Sequence, residues 1–203
     1  MSQDSPPSNA VPFNYQAGPL VWIDCEMTGL DPQTDRLLEI AVIVTNGNLQ
    51  RVDSGINYVI RTNKTVLDSM DPWCINQHGQ SGLTQACLSS PHSLDYVSSE
   101  VLAYIKKWIP DRSTGVLAGN TVYMDRLFLA KEMPEVVDWL HYRIVDVSSI
   151  KELVRRWYTG KIAPKFGDNG HRALDDIECS IKELQWYKDN IFVQQSLVCN
   201  TCD

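Results

Sequence analysis

The sequence predicts one α/β domain with a mixed β-sheet and helices packed against it. Three observations carry this prediction: strand-length apolar segments come first, a hairpin turn signal joins two of them, and later strands alternate with segments of helical periodicity. The chain has 203 residues, of which 43% are hydrophobic, so it can bury a substantial core. No apolar run has the length of a transmembrane helix, and we expect no membrane partner.

The first half of the chain has the pattern of a β-meander. Residues 19–24 and 37–45 read as buried strands, and Asn46-Gly47 after the second is a strong hairpin signal. A third strand near residues 56–61 completes the meander. Residues 64–90 look irregular or short-helical.

The second half of the chain alternates between helices and strands. Helical spacing that stops at Pro110 or Pro134, and short apolar runs between the helices, define these elements. The predicted helices are 94–109, 121–133, 148–158 and 171–191, and the predicted strands are 116–119 and 142–147. Residues 159–170 read as a loop.

The predicted α/β domain, residues 19–192, is flanked by two polar segments. Residues 1–18 are rich in Ser, Pro, Asn and Gln and contain no Lys or Arg, which predicts a disordered leader that resembles neither a signal nor a transit peptide. Residues 193–203 read as a flexible tail ending in a lone C-x-x-C pair, for which a small metal module is the alternative. The six irregularly spaced cysteines favour an intracellular protein with reduced thiols.

The net charge of −7 argues against a protein that grips long nucleic acid, because such proteins neutralise phosphates with a basic surface. A small anionic substrate, held by a few placed groups or by bound cations, fits this charge.

Asp24 and Glu26 follow the first apolar strand with a spacing of two residues. Side chains so spaced on a strand face the same way, roughly 6.6 Å apart. Two carboxylates on one face repel each other unless a cation lies between them, and divalent metals prefer oxygen ligands. Solvated acids at a strand end are the alternative interpretation, and this pair alone does not decide between them.

Three further residues are candidates for the same site. Asp125 lies in the second turn of a predicted helix beside core-like residues, although an acid near a helix start is also favoured by the helix dipole. Asp176 borders the apolar stripe of the last helix, whereas Asp175 points nearly the opposite way and should be solvated. His171, at the start of that helix, has the near-neutral pKa that a general base requires, but surface histidines at helix starts are common.

Taken together, Asp24-x-Glu26, Asp125, and His171 followed five residues later by Asp176 resemble the four acids and one histidine of the DEDDh 3′→5′ exonucleases. Longer stretches resemble the oligoribonuclease family from about Leu20 to about Ile191: WIDCEMTGLD, DPWCINQHGQSGLT, AGNTVYMDRLFL, HYRIVDVSSIKELVRRWY and HRALDDIECSIKELQWY. This resemblance implies a ribonuclease H-like fold, a mixed β-sheet flanked by α-helices.

The resemblance also implies a chemistry. The four acids would hold two divalent ions, Mg²⁺ or Mn²⁺, and His171 would deprotonate the attacking water. The last phosphodiester of a short RNA oligonucleotide would be hydrolysed in line, which releases a nucleoside 5′-monophosphate. The cations would also offset the acidity of the chain.

Family positions further imply substrate contacts. Leu30 would wedge between the last two bases, and Trp73 and Tyr142 would stack on bases, with Tyr142 contributed by the partner subunit of a homodimer. Phosphate contacts are implied for His78, Thr121, Arg143 and Ser148. Core aromatics and a surface cation are the alternative interpretations of Trp73, Tyr142 and Arg143.

Two positions depart from the family pattern. Cys25 stands where the family has an apolar residue, and Thr121 replaces a serine but keeps the hydroxyl. Cysteine behaves as a small hydrophobe, so we expect Cys25 to be core.

Two other functions fit parts of the same pattern. They are a proofreading or RNA-trimming exonuclease of longer substrates, and a catalytically inactive homologue that binds RNA. We expect a cytoplasmic location, with mitochondria as the alternative.

Overall fold

A five-stranded mixed sheet forms the centre of the computed structural model, which describes residues 12–160, 163–164, 166 and 172–192. Its strand order is β3-β2-β1-β4-β5. The first three strands pair antiparallel, whereas β4 runs parallel to both β1 and β5. The strands are β1 (Leu20–Met27), β2 (Leu37–Thr45), β3 (Ile56–Val59), β4 (Val116–Gly119) and β5 (Ile144–Asp146). The predicted α/β class with a mixed sheet is therefore confirmed.

Helices cover both faces of this sheet. In the described part of the chain they are α1 (Lys64–Asp68), α2 (Pro72–Gln80), α3 (Leu83–Ser89), α4 (Leu94–Trp108), α5 (Tyr123–Glu132), α6 (Pro134–Trp139), α7 (Val147–Trp157) and α8 (Ala173–Asn190). One core lies between the sheet and α4–α6, and a second lies between the sheet and α7–α8. A smaller cluster packs α1–α3 against Leu38. None of the described helices is long and apolar enough to cross a membrane.

The period of two along β1 decides which residues enter each core. Val21, Ile23 and Cys25 belong to the core on the α4–α6 side, whereas Trp22 belongs to the core under α7 and α8. Cys25 is only 8% exposed, which confirms that it is core. Asp24 and Glu26 follow Trp22 on the other side of the strand, towards α8.

Several boundaries differ from the sequence prediction. Residues 12–18, predicted as leader, are ordered: the Phe13 N–H donates to the Trp108 carbonyl oxygen at 2.7 Å, and Tyr15–Ala17 form a 3-10 turn. The folded part therefore begins before residue 19, and this stretch of the predicted leader is wrong. Residues 1–11 and the predicted tail, 193–203, lie outside the described residues.

Two helical regions were not foreseen in full. Residues 64–90 form three short helices, where the sequence favoured an irregular or short-helical stretch. Pro134 does end α5, but it also occupies the first turn of α6, where its missing N–H leaves no helical hydrogen bond unmade. Pro134 therefore marks the boundary between α5 and α6.

Candidate active site

Three carboxylates meet where β1 ends beneath α8. Asp24, Glu26 and Asp176 each offer one carboxylate oxygen, and these atoms all lie within 4.8 Å of one another. All three residues are partly buried. The predicted pairing of Asp24 and Glu26 on one face of the strand is what brings them to α8.

Asp176 reaches this point because the apolar stripe of α8 fixes how the helix lies on the sheet. Ala173, Ile177 and Ile181 are buried against the sheet, and Asp175 is exposed, as the stripe predicts. The Asp176 N–H donates to the Arg172 carbonyl oxygen at 3.1 Å, which completes the first turn.

Asp125 approaches β1 from α5 and lies beside the cluster. It is 6% exposed, and its Oδ1 accepts a hydrogen bond from the Cys25 N–H at 2.9 Å. This bond fixes α5 to the strand that carries the first two acids, so all four predicted acids converge on β1.

The clustered acids make ionisation expensive. Burial, followed by the charges of Asp125 and Asp176, raises the pKa of Asp24 well above its usual range. Burial, followed by Asp176 and Glu39, raises the pKa of Glu26 to about 8. Burial also raises the pKa of Asp125, although the bond from Cys25 opposes the rise. A cation among these groups would remove the penalty.

The donor set fits a divalent metal ion. Two oxygens bound to one Mg²⁺ at about 2.1 Å are at most about 4.2 Å apart. The three carboxylate oxygens of the cluster, all within 4.8 Å of one another, are close to that limit. The cluster contains hard oxygen ligands, which suit Mg²⁺ or Mn²⁺. These residues could therefore hold a metal.

An ion pair missed by the sequence reasoning anchors α8 beside the acids. Arg172 donates to Glu39 of β2 through Nη2 at 2.6 Å and Nε at 2.9 Å, and Glu39 is fully buried. Glu39 lies directly opposite Glu26 in the β1–β2 register. The only indication of this ion pair in the sequence was the acid within the apolar run LLEIAVIVT.

His78 lies behind Glu26 and is 2% exposed. Its Nε2–H donates to the Met27 carbonyl oxygen at 2.8 Å, which leaves Nδ1 without a hydrogen-bond partner among the described residues, 3.9 Å from Glu26 Oε2. The ring therefore contacts a candidate metal ligand, whereas the sequence reasoning gave it a phosphate contact.

The three apolar and aromatic candidates are exposed. Leu30 is 72%, Trp73 62% and Tyr142 69% exposed. Trp73 and Tyr142 are thus not core aromatics, which removes that alternative. The Arg143 guanidinium lies over the Tyr142 ring, 5.0 Å from its centroid.

A second unforeseen acid connects two of the predicted phosphate contacts. Asp146 Oδ1 accepts from the Thr121 N–H at 2.9 Å and from the Ser148 hydroxyl at 2.6 Å. Thr121 has a φ of +61°, which a β-branched residue rarely adopts, so the Asp146 bond offsets backbone strain. His171 lies outside the described residues.

Comparison with known proteins identifies the family. The exonuclease family RNase_T matches residues 21–184. A mitochondrial oligoribonuclease of Saccharomyces cerevisiae is 51% identical over 181 residues, which cover 85% of this chain and 67% of the relative. An oligoribonuclease of Pseudoalteromonas translucida is 42% identical over 180 residues, which cover 89% of this chain and 99% of the relative.

The chain belongs to the oligoribonuclease family. It is therefore a nuclease of the hydrolase class, and the predicted resemblance is confirmed. A human mitochondrial oligoribonuclease is 46% identical and covers 85% of this chain and 73% of the relative.

Solved structures support the fold of this family member. An E. coli exonuclease I–single-stranded DNA complex with bound zinc superposes with a TM-score of 0.67 at 13% identity. It matches 86% of this chain but only 41% of exonuclease I. This likeness confirms the predicted ribonuclease H-like fold.

Proposed function

We propose that this protein is a metal-dependent 3′→5′ exoribonuclease that hydrolyses very short RNA oligonucleotides to nucleoside 5′-monophosphates. The observation that carries the proposal is the carboxylate cluster of Asp24, Glu26 and Asp176 with Asp125 beside it, in a chain 42–51% identical to oligoribonucleases.

The four acids are the proposed ligands of two divalent ions, Mg²⁺ or Mn²⁺. Bound divalent cations supply positive charge that polarises the scissile phosphate and stabilises the leaving 3′ oxygen. Asp24 and Glu26 present their oxygens from a rigid central strand, and Asp176 presents its own from the first turn of α8. Because these elements pack on one another, the ligands are preorganised.

His171 is the proposed general base, which takes a proton from the attacking water. Its neighbour in the sequence, Arg172, is fixed by the buried Glu39. His78 lies behind Glu26, and its buried Nδ1 carries a lone pair that can accept from a water. The proposed phosphate contact of His78 requires a proton on this nitrogen and movement of the side chains that cover it.

The proposed short-substrate preference rests on exposed side chains around the site. The exposed side chains of Leu30 and Trp73 are proposed to contact the two terminal bases. A base that stacks on an aromatic ring gains about 1–3 kcal/mol of binding free energy. Thr121, Arg143 and Ser148 are proposed to contact phosphates and to cap the 5′ end, which excludes longer chains. The net charge of −7 disfavours the binding of a long RNA along the protein surface.

A homodimer is part of the proposal. Exposed apolar side chains lie on β5, which is an edge strand, on the segment before it and on α7 after it. They are Tyr142, Ile144, Leu153 and Trp157. Pairing two such faces would bury them and bring Tyr142 to the partner's site, and mass measurement in solution tests this.

The decisive assay offers a 5′-labelled dinucleotide and a long RNA with Mg²⁺. We expect rapid cleavage of the dinucleotide, slow cleavage of the long RNA, and loss of both in Asp24→Asn, with Asp175→Asn as the matched control. Equal rates on the two substrates would favour the trimming exonuclease, and an inactive wild-type chain would favour the RNA-binding homologue. An active Asp24→Asn variant would overturn the metal assignment.

The location of the protein is also a proposal. The yeast and human relatives are named mitochondrial, which supports mitochondria, and our cytoplasmic prediction stands as the alternative. Cell fractionation with an antibody to the native chain distinguishes the two.

A further inference from the structure

The loop that carries Leu30 is unusually well fixed for an exposed turn. It joins β1 to β2 directly after the two strand acids, and Leu30 is its third residue and 72% exposed. Loop tips are usually the mobile parts of a domain, and an exposed leucine gains no packing that would hold it. Something other than apolar contact must therefore define its position.

The Asp35 carboxylate supplies that constraint. Its Oδ1 accepts from the Thr28 hydroxyl at 2.8 Å, and its Oδ2 accepts from the Asp31 N–H at 2.9 Å. The Asp35 N–H in turn donates to the Asp31 carbonyl oxygen at 2.8 Å, and the Thr28 hydroxyl oxygen accepts from the Arg36 N–H at 3.1 Å. One carboxylate thus holds the chain on both sides of Leu30.

Gly29 shows how closely this carboxylate lies against the loop backbone. A Cβ added to Gly29 would lie 2.4 Å from Asp35 Oδ2 and 2.7 Å from its Cγ, well inside contact distance. A Cβ at this position would force the Asp35 carboxylate to move. The φ of Gly29 is not in the left-handed region, so this contact and not the backbone conformation is what favours glycine there. Asp35 therefore packs directly under the residue that precedes Leu30.

We propose that Asp35 is a positioning residue. It holds Leu30 in the position that contact with two adjacent bases of a substrate requires. The inference rests on the proposed function, in which Leu30 meets the last two bases. A wedge fixed before binding loses little conformational freedom when the bases close on it, so preorganisation lowers KM. Asp35 acts on base recognition and leaves the acid cluster unchanged.

A double-mutant cycle between Leu30 and Asp35 tests the proposal with two substrates. One is a dinucleotide, and the other is the p-nitrophenyl ester of uridine 5′-monophosphate, which has a single base and needs no wedge. We expect Leu30→Ala to raise KM for the dinucleotide about tenfold and Asp35→Ala to raise it about fivefold, with kcat nearly unchanged. The double variant should be no worse than Leu30→Ala, and Asp35→Ala should raise KM much less for the ester than for the dinucleotide.

Asn46→Ala is the matched control. Asn46 Oδ1 accepts from the N–H groups of Asn48 and Gln50 and so organises the turn at the other end of β2. This variant should lose stability without a change in KM for either substrate. Asp35→Asn, which keeps one acceptor oxygen, serves if Asp35→Ala does not fold, and it should fall between wild type and Leu30→Ala.

The outcomes separate the two proposals. Additive effects of Leu30→Ala and Asp35→Ala, or equal losses on the dinucleotide and the ester, would overturn the positioning role while leaving the nuclease assignment intact. A wild-type chain that cleaves neither substrate would overturn the proposed function and this inference with it. A Gly29→Ala variant harmful in the wild type but tolerated beside Asp35→Ala would support the close approach.

Discussion

Glu26→Gln should make the metal-free protein more stable while it abolishes activity. Glu26 is surrounded by Asp24, Asp176 and Glu39, and its pKa is about 8 rather than 4.5, chiefly because it is buried. The pKa of Glu26 in the folded state lies above its value of 4.5 in the unfolded chain. Its contribution to the free energy of unfolding is therefore fully present below pH 4.5, where Glu26 is protonated, and is lost as the pH rises to about 8.

The size of the effect follows from this pKa change. One pKa unit corresponds to about 1.4 kcal/mol, so the difference between 4.5 and about 8 costs about 5 kcal/mol once Glu26 is ionised. Water entering around the cluster would lower this cost. The glutamine amide can donate to neighbouring carboxylates, so burying it is tolerated. We expect a gain of about 2–4 kcal/mol, which raises the melting temperature by about 5–15 °C for a domain of this size.

The assay is thermal unfolding in EDTA at pH 5 and pH 8, with and without Mg²⁺ in excess. Wild type should lose stability between these pH values and recover it with Mg²⁺, whereas Glu26→Gln should show a smaller pH dependence and a smaller Mg²⁺ response. Asp175→Asn removes one negative charge from the exposed face of α8 and is the matched control. A melting temperature for Glu26→Gln at or below that of wild type at pH 8 would refute the electrostatic reasoning.

Three further changes have defined expected outcomes. Arg172→Met should lower the free energy of unfolding in urea by about 3 kcal/mol, because it leaves the fully buried Glu39 carboxylate without its charged partner. Arg51→Met is the comparison and should cost under about 1 kcal/mol, because the carboxylate that it leaves, Glu178, is 38% exposed. Thr121→Gly should raise the free energy of unfolding by about 1 kcal/mol, since glycine adopts the positive φ without strain. An unchanged free energy of unfolding would show that the backbone strain does not lie at Thr121. His171→Ala should remove the rise of kcat with pH through an imidazole-like pKa, and an unchanged pH–rate profile would exclude it as the base.

The elements that local patterns define were predictable. The strand bounds 37–45 and 116–119 agree with β2 and β4, because apolar runs bounded by turn signals fix their lengths. The period of two placed Asp24 and Glu26 together, and the stripe on α8 distinguished Asp176 from Asp175. Each of these inferences needs only neighbours along one element.

Contacts between distant segments were not predictable from those patterns. Glu39 and Arg172 are 133 positions apart, and neither has a local signature for pairing. Asp146 connects Thr121 to Ser148 through bonds that form only after β4 and β5 align. The burial of His78 depends on α2 packing against the end of β1. In each case the partner is set by tertiary packing, which one sequence does not encode in any short window.

The ion pair of Arg172 and Glu39 also changes how the charge of the site is understood. Glu39 lies opposite Glu26 and raises its pKa, while Arg172 lowers it. A fully buried Glu39 without a cation would add to the repulsion among the acids, and a divalent ion bound by those acids would have to offset it at longer range. Because Arg172 binds Glu39 directly, the positive charge near β1 has two separate sources. Arg172 supplies the one that pairs with the buried Glu39, and under the proposed function a bound metal would supply the one on which catalysis depends.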